Sequence, residues 1–96
     1  LDPQTITQVE MESITVSKKM IQDQMNKFPE AKAVEVIADI RKGTPYEEIL
    51  KAQEEKKCDL IVIASHGQTG LMRFLLGSVA EKVLRYSKGP VLLVRI

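Results

Sequence analysis

Several features that would assign this chain to a membrane, a nucleic acid or a secreted fold are missing from its sequence. No apolar run reaches the roughly 18 residues that a membrane-spanning helix needs. The first residues, Leu1-Asp2-Pro3-Gln4, have neither the basic nor the apolar segment of a secretion signal. The net charge is +1, so the overall charge gives no reason to expect nucleic acid or an anionic lipid surface as a partner.

Cysteine and histidine are equally scarce. The single cysteine, Cys58, has no partner for an intramolecular disulfide, which favours a reducing, cytoplasmic setting. The single histidine, His66, stands apart from any cluster of ligand-type side chains, so we expect no metal site built from protein side chains. No set of residues resembles a general base beside an activated nucleophile, which favours a binding protein over a dedicated catalyst.

The chain does contain an alternation of helix and strand patterns. Asp2 and Pro3 suit the start of a helix, and Ile14 and Ile21 then recur on one helical face. Two later helix starts carry a hydroxyl residue followed three positions later by Glu, which predicts two reciprocal caps. These pairs are Thr44 with Glu47 and Ser78 with Glu81. The predicted elements are a helix over about 7–27, a strand over 33–40, a helix over 45–57, a strand over 59–64, a helix over 78–87 and a strand over 90–95.

This order, α-β-α-β-α-β, predicts an α/β fold with a parallel sheet and right-handed crossovers. Leu60-Ile61-Val62-Ile63 is an uninterrupted apolar run, as in a central strand that is buried on both faces. Open α/β sheets bind ligands beyond the carboxyl ends of their strands. The polar loop that follows this strand is therefore the first candidate site.

That loop contains Gly67 and leads to a helix start at Gly77-Ser78-Val79. Glycine lets the backbone approach a ligand closely, and a helix N-terminus presents unpaired N–H groups with about half a positive charge. A phosphate group suits both features. The residues alone leave two interpretations open: a phosphate site, or tight turns followed by a helix cap that Ser78 provides.

Three stretches, in this order, resemble the C-terminal part of a universal stress protein. They run from Asp59 to Leu71, from Leu76 to Val83 and from Pro90 to Val94, with Gly43-Thr44-Pro45 upstream, and the resemblance covers about residues 33–96. The nucleotide-binding branch of that family has glycine, two residues, glycine, nine residues, then glycine and a hydroxyl residue. The corresponding residues here are Ala64, Gly67, Gly77 and Ser78, so alanine replaces the first glycine.

The resemblance implies that the cofactor is ATP, with or without magnesium. Ile63 and Ala64 would lie near the ribose and base, and the phosphates would be surrounded by the backbone N–H groups of Gly67, Gly77, Ser78 and Val79. Further polar candidates near the phosphates are Ser65, His66, Gln68, Thr69 and Arg73.

The resemblance also implies a three-layer parallel sheet with helices on both faces and the strand order 3-2-1-4-5. The strands predicted here would be the third, fourth and fifth. We therefore expect residues 1–96 to be a single partial domain, whose first two strands and first helix come from an upstream segment or another chain. Val91–Val94 would be an edge strand that pairs with its copy in a homodimer.

The function that the resemblance implies is ATP binding in stress response or signalling, with slow ATP hydrolysis left open. One alternative is a universal stress protein that binds no nucleotide and acts as a dimerisation module. Ala64 favours that alternative and the glycine spacing opposes it. Another alternative is a nucleotide-dependent enzyme of the wider adenine-binding superfamily, in which the phosphate motif generally follows the first strand.

Overall fold

The computed structural model describes residues 2–65 and 76–95. The chain divides into two compact units, Leu1–Arg41 and Lys42–Ile96. Among the described residues, no helix is both long enough and apolar enough to cross a lipid bilayer.

A long helix, α1 (Pro3–Met25), forms most of the first unit. Asp2 is its N-cap, since the Asp2 carboxylate accepts the backbone N–H of Thr5 at 2.7 Å, and Pro3 occupies the first helical position. This cap explains why the helix begins at Pro3, earlier than the predicted start near residue 7. None of the residues of α1 is buried.

The strand predicted over residues 33–40 is wrong. The chain instead forms a short 3₁₀ helix, Pro29–Ala33, and residues 35–40 form neither helix nor strand. The reason is that a strand needs a neighbour to pair its backbone N–H and C=O groups. Within the described residues, the paired strands belong to the second unit and bond to each other.

The second unit contains two helices and two strands. In chain order they are α2 (Pro45–Lys56), β1 (Ile61–Ala64), α3 (Ser78–Tyr86) and β2 (Val91–Val94). The two strands are parallel, with Ile61 opposite Val91 and Ala64 opposite Val94. This is the α/β arrangement with a parallel sheet that the alternating sequence pattern predicted.

Helix α3 packs against both α2 and β2. Its Val83 side chain is 0% exposed, and Ala80 and Ile61 are also buried. Across the helix pair, the rings of Tyr46 and Tyr86 stack with their centroids 5.8 Å apart, and Lys82 Nζ lies 5.2 Å from the Tyr46 centroid. These contacts fix the position of α3 relative to α2.

The start of α2 differs from its predicted cap. Thr44 is the N-cap, but no side chain caps the helix, so the predicted reciprocal cap with Glu47 does not form. The Glu47 carboxylate instead accepts the Tyr46 hydroxyl at 3.3 Å. Gly43 precedes the cap with φ of 143°, a backbone conformation that favours glycine.

Candidate functional site

Two backbone hydrogen bonds bring the start of α3 to the carboxyl ends of both strands. The N–H of Gly77 donates to the carbonyl oxygen of Ser65 at 2.7 Å. The N–H of Ser65 in turn donates to the carbonyl oxygen of Val94 at 2.8 Å. The N-terminus of α3 therefore lies at the edge of the sheet where α/β proteins bind their ligands.

The cap of α3 is Gly77, and Ser78 is the first helical residue. None of the side chains that the structure describes caps this helix, so the predicted reciprocal cap of Ser78 with Glu81 does not form. The Ser78 side chain is exposed, and its hydroxyl makes no hydrogen bond to any residue in the described ranges. Of the two roles that the sequence left open for this hydroxyl, capping its own helix is excluded.

The amides of the first turn of α3 divide into two groups. The N–H groups of Ser78, Val79 and Ala80 have no acceptor within the helix, as is general for a helix start. The Gly77 N–H is already bonded to Ser65, so Gly77 holds the site in place rather than offering a free donor. The sequence analysis did not include the Ala80 amide among the candidate donors. Its place as the third residue of the helix was the signal that could have indicated it.

The charge at this helix start favours an anion. The helix dipole supplies about half a positive charge at the N-terminus. Glu81 is the acidic residue of the first turn and would oppose a bound anion. Its carboxylate forms an ion pair with the guanidinium of Arg85, one turn further along, and this pairing reduces the opposition.

Ile63 and Ala64 end the strand β1 and are half-buried. In the sheet they lie opposite Leu93 and Val94. The chain direction brings both to the same end of the sheet as Ser65. Their expected places beside the ribose and base of a nucleotide stay predictions.

Ser65 is the buried polar residue of this region. It is 8% exposed, and its hydroxyl oxygen has no hydrogen-bond partner among residues 2–65 and 76–95. The region thus contains, besides this hydroxyl, the Ser78 hydroxyl and the three amides that have no acceptor within the helix, all of them neutral N–H and O–H donors. Such a set suits a phosphate group, which accepts hydrogen bonds and carries negative charge.

Five predicted site residues lie outside the described residues, and the predictions for them stay predictions. They are His66, Gly67, Gln68, Thr69 and Arg73. In the ranges that the structure does describe, no three His, Cys, Asp or Glu side chains gather in a way that could hold a metal ion.

A separate crevice of about 390 Å³ contains none of the predicted site residues. Lys57 caps the C-terminus of α2, and Lys88 follows the end of α3. Lysine side chains at helix C-termini offset the partial negative charge of the helix dipole. This effect accounts for Lys57 and Lys88 without a ligand in the crevice. The lining residues are Leu50, Gln53, Glu54, Lys57, Cys58, Tyr86, Lys88 and Gly89.

Comparison with protein families gives a match over nearly the whole chain. The model described as the universal stress protein family matches residues 2–95. A universal stress protein of Methanocaldococcus jannaschii, MJ0531, is 44% identical over 71 residues, which are 74% of this chain and 42% of that protein. The universal stress protein of Methanothermobacter thermautotrophicus is 35% identical over 98 residues, which cover 99% of this chain and 66% of that protein.

A solved structure has the same fold. The hypothetical protein MJ0577 superposes with a TM-score of 0.63 at 35% sequence identity, over 100% of this chain and 71% of that chain. In sequence, the universal stress protein MJ0577 of M. jannaschii is 49% identical over 53 residues, or 55% of this chain and 33% of that protein. The chain thus spans less than two thirds of the length of these curated relatives.

Proposed function

The chain belongs to the universal stress protein family, and on that premise we propose that it binds ATP through the phosphates at the start of α3. The observation that carries the proposal is the hydrogen bond from Gly77 N–H to Ser65 C=O, 2.7 Å long. This bond holds a helix N-terminus against the carboxyl end of a parallel strand. An anion placed there meets free N–H groups and the positive end of the helix dipole.

The donors available in the described residues can hold a phosphate without a charged side chain. They are the amides of Ser78, Val79 and Ala80 and the exposed Ser78 hydroxyl. A hydrogen bond to a charged group contributes about 1.5 to 3 kcal/mol, so two or three of them support binding. Magnesium would enter as the counter-ion of the phosphates, and Ala64 would place one methyl group where the family motif has glycine.

The proposal is tested by Ser78→Asp, with binding of a fluorescent ATP analogue measured at equilibrium. An acidic residue in the first turn stabilises a helix by about 0.3 to 1 kcal/mol, so the fold should be kept. The same carboxylate would repel a phosphate bound at the helix start. We expect the affinity for the analogue to fall roughly tenfold or more, while the melting temperature stays the same or rises.

The matched control is Ser13→Asp, which adds the same charge on an exposed position of α1. It should leave the affinity unchanged. Gly77→Val is a second variant at the site: the φ of −60° at Gly77 suits any residue, but Gly77 is buried, so a loss of binding counts only if the melting temperature is kept. Wild-type protein that does not bind the analogue, or Ser78→Asp protein that binds it normally, contradicts the proposal.

We propose further that the sheet is completed by another strand beside β1, giving the order 3-2-1-4-5. Within the described residues, β1 is paired along one edge only, with β2. Leu60 and Val62 are exposed, although their apolar run is typical of a central strand. A strand-helix-strand segment, upstream or on another chain, would cover them.

A dimerisation module is the second candidate function, and the exposed strand β2 favours it. Leu92 and Leu93 are 53% and 37% exposed, in a strand that is paired with β1 on one side. Pairing of β2 with its copy would bury these side chains and satisfy the free backbone groups. We propose that the homodimer and ATP binding coexist, and that the protein acts in stress response or signalling in the cytoplasm.

A further inference from the structure

The Ser65 hydroxyl stands out because it is buried and the described residues offer it no hydrogen bond. Both backbone groups of Ser65 are bonded, the N–H to Val94 and the C=O to Gly77. The side-chain oxygen is buried and has no partner in the parts of the chain that the structure describes. A buried hydroxyl without a partner is unfavourable, so natural proteins rarely keep one without a reason.

The backbone of Ser65 places the residue at the start of α3. Ser65 follows the last residue of β1, and its carbonyl is 2.7 Å from the N–H of Gly77, the N-cap of α3. The residue is therefore next to the helix start at which the free amides gather. An O–H group is a donor that a phosphate oxygen can satisfy, either directly or through one ordered water.

We propose that the Ser65 hydroxyl is a hydrogen-bond donor reserved for the phosphates of the bound nucleotide, a role that rests on the proposed function. Within residues 2–65 and 76–95 it has no partner in the free protein, and it becomes satisfied when the nucleotide binds. The free protein thus carries an unfavourable group whose relief adds to the affinity. A hydroxyl with a purely structural role would behave in the opposite way, because it would already be bonded in the free protein.

The test is Ser65→Ala, with two measurements on the same protein. The melting temperature of the nucleotide-free protein should stay the same or rise, because the substitution removes a buried group that has no partner in the described part of the chain. The affinity for ATP should fall about tenfold, as expected when a hydrogen bond to a charged group is lost. The affinity for adenosine, which has no phosphate, should not change.

Ser87→Ala is the matched control, because the Ser87 hydroxyl is fully engaged. It donates to the Gly89 carbonyl at 3.1 Å and accepts the Gly89 N–H at 3.3 Å. Ser87→Ala should therefore lower the melting temperature and leave the affinity for ATP unchanged, the reverse of Ser65→Ala. Ser65→Thr, which restores a hydroxyl, should recover part of the affinity.

Three results would overturn the inference alone: a lower melting temperature for Ser65→Ala, an unchanged affinity for ATP, or an equal loss for ATP and adenosine. The first would give the hydroxyl a structural partner, and the third would place its contact on the nucleoside. Wild-type protein that fails to bind ATP would instead overturn the proposed function. The two failures are therefore distinguishable.

Discussion

The Asp2 side chain determines where α1 begins. Its carboxylate accepts the N–H of Thr5, and this hydrogen bond, followed by one from the Thr5 side chain, lowers the pKa of Asp2 below its ordinary value of 3.8. Because the folded pKa is lowered, the stabilisation of α1 by this cap is complete above the ordinary value. It is lost as the pH falls through the folded value.

The cap can be followed by nuclear magnetic resonance through the Thr5 amide. We expect its chemical shift to titrate with a midpoint below 3.8, and the start of α1 to fray as it does so. Asp2→Asn keeps a good N-cap residue but cannot ionise, so its Thr5 amide should show no such titration. A midpoint at or above the ordinary value in the wild-type protein would contradict the assignment.

Single residues also show where sequence reasoning stops. The pattern of Ser78 and Glu81 correctly indicates a helix start, but it assigns the cap to the wrong residue. The cap is Gly77, whose backbone is held by a bond to Ser65, twelve positions earlier in the chain. A local pattern cannot contain that tertiary contact. The buried hydroxyl of Ser65 was equally invisible, since burial depends on the packing of the sheet and helix.

Among the elements, α3 depends on few side chains. Val83 is its fully buried residue, whereas Leu84, its neighbour, is 40% exposed. We expect Val83→Ala to reduce the free energy of unfolding by about 2 kcal/mol, from lost burial and the cavity left behind. Leu84→Ala on the same helix should reduce it by less than about 1 kcal/mol. Denaturant unfolding measures both, and equal losses would show that α3 packs differently.

The elements differ in how well local sequence predicts them. The predicted helix over 45–57 and strand over 59–64 correspond to α2 and β1, where caps, helix-ending residues and a continuous apolar run give local signals. From Val34 to Ile40 apolar residues alternate with Glu35, Ile37 and Asp39, a mixed pattern that predicts a strand, yet residues 35–40 form none. Alternation indicates which face a strand would bury. Whether the strand forms depends on a neighbouring strand, which the local pattern does not reveal.

For the whole molecule, the central question is what covers the exposed strand β2. Leu93→Lys places a charge in the middle of this edge, where pairing with a second copy would bury it. We expect light scattering to show a dimer for the wild-type protein and a monomer for Leu93→Lys. Gln8→Lys, which adds the same charge on the exposed surface of α1, should leave the dimer intact. A dimer of unchanged mass in Leu93→Lys would place the interface elsewhere.

The link through Ser65 has a consequence for how this protein would be assayed. Ser65 ties the end of β2 to the start of α3, because its N–H donates to Val94 and its C=O accepts from Gly77, so a shift of one element strains its link to the other. Pairing along β2 would hold the strand end more firmly and pass that order to the phosphate site. Coupling of this kind is reciprocal. The apparent Kd for ATP should then fall as the protein concentration rises through the dimerisation range, and added ATP should tighten the dimer.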